Sequence, residues 1–182
     1  MALSRRSSHN DTMTDTNIAD SLSSLQIDSR QVVSKIRDDL FIGNLAAAID
    51  KELLQGYGFT HVVHLCPLPR TAGLLNVVDM RHYWTWRELC DSDEMIQMLM
   101  VLDVCELLKS LRYTSASASA ANKIFIHDKD GSYIVTAVAV WHLLSQETPM
   151  KSFADIYTEV KAKHATASLD EGWTHIIETS KF

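Results

Sequence analysis

The stretch from Lys123 to Leu144 constrains the fold more than any other part of the chain. It opens with Ile124-Phe125-Ile126, a short β-favouring apolar run, and then passes through the polar turn Asp128-Lys129-Asp130-Gly131-Ser132. Ile134 to Leu144 follows, interrupted only by Thr136 and His142. That run is shorter than the roughly 18 residues needed to span a bilayer, yet too uniformly apolar for a surface helix, so it predicts a helix at the centre of a domain. The order of strands and helices along the chain then predicts an α/β domain, with a central, mostly parallel sheet flanked by helices on both faces.

The remaining pattern supplies elements to surround that unit. Ile36 and Leu40-Phe41-Ile42 flank the acidic pair Asp38-Asp39, which predicts two short strands joined by a turn. Asn44 is placed to cap a helix carrying Leu45, Ile49 and Leu53 on one stripe, ended by Gly56 and Gly58. Phe59 to Cys66 reads as a buried strand closed by Pro67 and Pro69. Its His61 and His64 read as strand-face residues, because no acidic or cysteine partner stands at metal spacing. Asn76 to Trp84 predicts another strand, Met95 to Leu111 a helix lying on a core, and the Ser-Ala repeats of Thr114 to Ala121 a loop. Ser152 with Asp155 marks the start of a helix that faces inward with Phe153, Ile156, Tyr157 and Val160. A last short helix carries Trp173, Ile176 and Ile177.

At 182 residues the chain has room for one domain with a sizeable core. Residues 1–30 form a Ser/Asp/Asn-rich N-terminal tail, too poor in large apolar groups to offset its own ordering entropy and so flexible unless a partner holds it. Residues 31–182 form the domain. Arg5 and Arg6 could open a mitochondrial presequence, but Asp11, Asp15 and Asp20 follow, and such peptides avoid acids. A net charge of -6 gives no electrostatic reason to expect nucleic acid or an anionic membrane surface. Cys66, Cys90 and Cys105 are odd in number and widely spaced, which predicts reduced thiols in a cytoplasmic compartment and neither a disulfide framework nor a zinc site. No metal or other cofactor is expected.

Two stretches carry a resemblance. Ser34-Lys35-Ile36, Asp39-Leu40-Phe41-Ile42-Gly43-Asn44, Ala48 to Leu54 and Gly58-Phe59-Thr60-His61-Val62-Val63 are similar to the opening of the dual-specificity protein phosphatases. The strand-loop-helix of Ile124 to Leu144 resembles the segment that holds their nucleophile, in a loop reading His-Cys-x-x-Gly-x-x-Arg-Ser/Thr. Laid on that loop, His127 meets the His, Asp128 the Cys, Gly131 the Gly, Ile134 the Arg and Val135 the Ser/Thr. The resemblance therefore implies the cysteine-phosphatase fold, with Lys129, Asp130, Ser132 and Tyr133 filling the rest of a degenerate phosphate loop.

The mismatches fall on the chemistry. The family's nucleophile is a thiolate, favoured by loop amides and a helix N-terminus, and its arginine grips two phosphate oxygens with a planar fork. A carboxylate at Asp128 forms no thiophosphate intermediate, and Ile134 has no donor. Like charges about 4 Å apart repel by on the order of 1 kcal/mol in water and by more when partly buried, so Asp128 and Asp130 also oppose a bound phosphate. The expectation is that Asp128 accepts the loop amides itself. Glu88, Asp91 and Asp93, in the region of the family's general acid, read as solvated carboxylates, with Asp91 or Asp93 capping the next helix.

The resemblance thus implies a pseudophosphatase that works through other proteins. Inactive members of the family are understood as scaffolds, as competitors of active relatives, or as fixed parts of assemblies such as ciliary microtubules, which would make the location cytoplasmic, cytoskeletal or flagellar. His82, Tyr83, Trp84 and Trp86, beside Arg81 and Arg87, offer an interaction surface, with burial against the sheet as the equal alternative. A rival enzyme reading uses the same loop. Lys123 to Ser132 resembles the first motif of magnesium-dependent haloacid-dehalogenase-type phosphatases, with Asp128 as nucleophile and Asp130 as general acid. That motif normally opens its domain, and here too little chain follows it.

Overall fold

The computed structural model describes residues 30–66, 82–85, 94–115, 122–146 and 151–180. In chain order these form β1 (Val33–Lys35), β2 (Leu40–Asn44), α1 (Leu45–Ala48), α2 (Lys51–Tyr57), β3 (His61–His64), β4 (His82–Thr85), α3 (Glu94–Ser115), β5 (Ile124–Asp128), α4 (Ile134–Leu144), α5 (Phe153–Lys163) and α6 (Glu171–Thr179). The strands order β1-β2-β5-β3-β4 in one sheet. Only the edge strand β1 runs antiparallel to its neighbour; β2, β5, β3 and β4 are parallel. The expected α/β class with a mostly parallel sheet is what the chain adopts.

Alternation along the central strands divides the core in two. Ile42, Ile124, Ile126 and Val63 face a large cluster with Val101, Val104 and Leu108 of α3, Val138 of α4, Ile156 of α5 and Ile177 of α6. Phe41, Phe125 and Val62 face the opposite way, onto Leu45 and Ala47 of α1 and Leu54 of α2. Phe125 stacks on Phe59 at 5.1 Å between ring centroids, and Phe59 meets Phe41 edge-on at the same distance. Helix α4 is buried from Val135 through Leu144, as its composition requires, and each fully buried Val or Leu contributes about 1.5–3 kcal/mol. No helix among the described residues is long and apolar enough to cross a membrane.

The structure corrects several boundaries. The single helix expected after Asn44 is two, because the Asp50 carboxylate takes the Leu53 amide at 2.8 Å and starts α2 afresh. Gly56 lies inside α2; Gly58 ends it in the left-handed region at φ 67°. Helix α3 continues through Thr114 and Ser115, which the sequence pattern assigned to a loop. Residues 1–29 of the N-terminal tail, the Asn76 to Arg81 part of the expected fourth strand, and residues 116–121 lie outside the described residues.

β2 leaves little room beside β1 and β5. A Cβ added at Gly43 would fall onto the Val32 carbonyl oxygen and stand 2.9 Å from the Phe125 ring. Gly43→Ala is therefore expected to cost more than about 2 kcal/mol, since both neighbours are held, one in backbone and one in the core. Urea unfolding of the purified variant measures this, and an unchanged midpoint would mean that β1 is free to move.

Candidate functional site

The loop between β5 and α4 is shaped by one carboxylate. Asp128 closes β5 opposite Asn44 of β2 and is only 5% exposed. Its Oδ1 accepts the Gly131 amide at 2.5 Å; its Oδ2 accepts the Ile134 amide at 3.1 Å and the Val135 amide at 3.2 Å. Tyr133, at the N-cap position of α4, makes no side-chain capping bond, so Asp128 caps the helix from the strand end instead. An anion at a helix N-terminus among converging N–H groups is the arrangement that loops of this kind offer to phosphate. Here the anion is part of the chain.

Burial pushes the Asp128 carboxyl up to about 6, Asp130 adds to the rise, and the Val135, Gly131 and Ile134 amides oppose it. Asp130 itself is exposed; its Oδ1 accepts the Ser132 amide at 3.0 Å and the Ser132 hydroxyl at 2.7 Å. Lys129 is exposed as well. The Ile134 side chain packs against the large core cluster, where a guanidinium could not follow it unpaired. Cys66 sits 3.9 Å from the His127 ring, but burial, with Asp128 nearby, raises its thiol to about 12. It is therefore a thiol at neutral pH and no substitute nucleophile.

Two further layers hold the loop. Beneath it, His127 Nδ1 lies 3.2 Å from the Asp128 carbonyl, an acceptor, which assigns the proton to Nδ1. His127 Nε2 then accepts from His64 Nδ1, and the two rings meet edge-on at 4.4 Å. Outside it, the segment after α5 grips consecutive residues. His164 Nε2 donates to the Gly131 carbonyl while its Nδ1 accepts from the Ser34 hydroxyl at 2.8 Å. The Thr166 hydroxyl reaches the same carbonyl at 2.8 Å, the Ser168 amide reaches Ser132 at 3.2 Å, and the Tyr133 hydroxyl donates to Asp170. Gly131 has φ 75°, and a Cβ there would stand 3.0 Å from the backbone of Gly43 and Asn44, so only glycine fits.

The predicted loop residues His127 to Ile134 thus form one compact site. His82, Tyr83 and Trp84 lie on the edge strand β4; Arg81, Trp86, Arg87, Glu88, Asp91 and Asp93 lie outside the described residues. Among the described residues no group of three or more His, Cys, Asp and Glu side chains is placed to hold a metal ion. Ser34, His164 and Thr166 were not legible as site residues, because His164 and Thr166 reach Gly131 from 33 and 35 residues away in sequence and Ser34 acts only through His164, 130 residues away.

No protein-family model matches the sequence, and no curated protein does. Solved structures do. The chain is similar to human DUSP28 (18% identity, TM-score 0.57, covering 80% of this chain and 90% of that one). It is similar to DUSP15 (16%, 0.65, 80% and 85%). It is also similar to human tyrosine phosphatase-like serine/threonine/tyrosine-interacting protein (17%, 0.61, 82% and 95%). The fold is that of the dual-specificity phosphatases. At these identities the likeness concerns the fold; the chemistry of this dual-specificity-phosphatase-like chain rests on its own loop.

The buried groups make stability depend on pH in opposite directions. Burial holds His64 down to about 4 and His127 well below its ordinary 6.5, so both are neutral when folded and take up protons on unfolding. Their contribution is fully present above pH 6.5 and is lost as the pH falls from there toward 4, on the order of 3 kcal/mol for His64 alone. Asp128, raised from 3.8 to about 6, contributes most below 3.8 and loses that contribution as the pH rises through 6. Stability of the native protein is expected to rise with pH between these limits. In Asp128→Ala the opposing proton is absent, so the slope is steeper by up to about 1.4 kcal/mol per pH unit. Equal slopes in urea unfolding would place Asp128 in water, away from the amides.

Proposed function

We propose that this chain is a pseudophosphatase: a dual-specificity-phosphatase-like domain that does not cleave phosphoesters and acts by contact with other proteins, as a scaffold or structural subunit. One observation carries the reading. The amides of Gly131, Ile134 and Val135, placed as phosphate-binding amides would be, are taken by the carboxylate of Asp128. The other parts of the reaction are missing from the same loop, since Ile134 offers no donor to a transition-state oxyanion and Val135 no hydroxyl. A phosphate dianion entering there would displace a covalently tethered anion and then lie beside it.

A contact role follows from what remains once the chemistry is set aside, a rigid α/β domain with an exposed surface. One neighbour in fold is named as a tyrosine phosphatase-like interacting protein, which is the kind of role meant. A competitor that binds the partner of an active phosphatase is a form of the same reading. Cytoplasmic residence, with a cytoskeletal or ciliary assembly as the larger structure, extends it. The magnesium-dependent alternative needs Asp128 free to attack phosphorus, whereas this carboxylate is buried on its own loop and Asp130 is turned onto Ser132.

Purified protein is expected to release no para-nitrophenol from para-nitrophenyl phosphate above the uncatalysed rate, and Asp128→Cys alone is expected to do no better. It is also expected to show no saturable binding of tungstate, the anion found with a mouse putative dual-specificity phosphatase of similar fold. Turnover by the native protein without metal would overturn the proposal. Turnover that needs magnesium and disappears in Asp128→Asn would replace it with the haloacid-dehalogenase-like reading.

A further inference from the structure

A cavity of about 350 Å³ opens between the end of β3 and the middle of α3, a volume in the range of small-ligand and side-chain pockets. Its floor is mostly apolar: Val63 from β3, with Val104 and Leu107 from α3, beside the buried, neutral ring of His64. Its rim is acidic and polar, formed by Asp103, Glu106 and Ser110 along one stripe of the same helix, all three exposed. Leu99, 54% exposed, stands one turn before Asp103 and carries the apolar surface beyond the cavity.

We propose that this cavity is a docking pocket for a lysine or arginine side chain of a partner protein, presented next to an apolar residue that covers Leu99. The proposal rests on the contact role inferred above and gives that contact a place and a chemistry. An apolar floor under a carboxylate rim complements a methylene stem that ends in a cation, since such side chains lay their stems on apolar surface and keep their charge at the edge. Glu106 already holds Lys109 at 2.6 Å. Asp103 enters no ion pair among the described residues and is the main counter-charge for an arriving cation. The net charge of -6 draws basic segments toward the chain and repels acidic ones. A phosphorylated or acidic peptide would meet carboxylates at the rim, and the Lys109 beside them is already taken by Glu106.

The test uses the whole protein with methyl groups of Val63, Val104 and Leu107 observed by NMR. Butylguanidinium serves as the probe for a basic side chain and N-butylurea as its uncharged isostere. Butylguanidinium is expected to shift these methyl signals saturably. The urea is expected to bind more weakly by up to about fivefold, the factor carried by one partly exposed ion pair. Asp103→Asn is expected to weaken butylguanidinium binding by a similar factor while leaving the methyl spectrum of the free protein in place. Equal binding of the two probes, no effect of Asp103→Asn, or no saturable shift would overturn the pocket. The para-nitrophenyl phosphate assay on the same sample separates the two claims: an empty pocket in an inactive protein removes this proposal alone, and turnover removes the contact role.

Discussion

One carboxylate sets the conformation on which the rest of this site depends. Asp128 gathers the amides of Gly131, Ile134 and Val135 around it, and in doing so bends the chain from β5 into the first turn of α4. Without an acceptor there, three N–H groups beside a buried helix start would face each other unpaired, a cost of about 1–3 kcal/mol for each one kept from water. A loop that awaits a ligand leaves that need to water or to the ligand. Here the need is met by a residue that never dissociates, so the loop reaches its folded form with nothing bound.

The surrounding contacts only make sense on that foundation. His164, Thr166, Ser168 and Asp170 hold Gly131, Ser132 and Tyr133 from outside, and Asn44 braces them from β2. Beneath, burial keeps His127 and His64 neutral, so the charge nearest Asp128 is that of Asp130 and Lys129, with no histidinium. A site meant to receive a dianion gathers cations around the approach. This one surrounds a fixed anion with neutral donors, a tight lock whose electrostatic sign is wrong for phosphate.

Much of this was legible in the sequence because it depends on local pattern. The apolar run Ile134 to Leu144 could only be a central helix, and the period-two alternation of Ile124 to His127 could only be an inner strand between two cores. Asp128 as the acceptor of the loop amides was visible for the same reason, being read off a contiguous loop. What was not legible came from long range or from competition between near-equal local choices. His164 finds Gly131 through the packing of α5 against α4, and no spacing rule joins them. The break at Asp50 depended on whether its carboxylate would take the Leu53 amide or stay in a continuous helix, a difference of about 1 kcal/mol that tertiary packing decides.

Fold and chemistry are carried by different numbers of residues. The architecture rests on dozens of buried apolar side chains, each contributing a little, so the pattern persists at 16–18% identity to solved phosphatase structures. Phosphoryl transfer in the family that the loop resembles rests on a thiolate and a guanidinium; Asp128 and Ile134 stand where the sequence resemblance aligns those groups, each well accommodated. On the reading proposed above, a well-packed side chain at these positions is stable without serving that reaction. With the amides of Gly131, Ile134 and Val135 taken by Asp128, those three donors are not offered to a partner. In the contact role proposed above, recognition falls to other surfaces, and the acid-rimmed cavity between β3 and α3 is the one proposed.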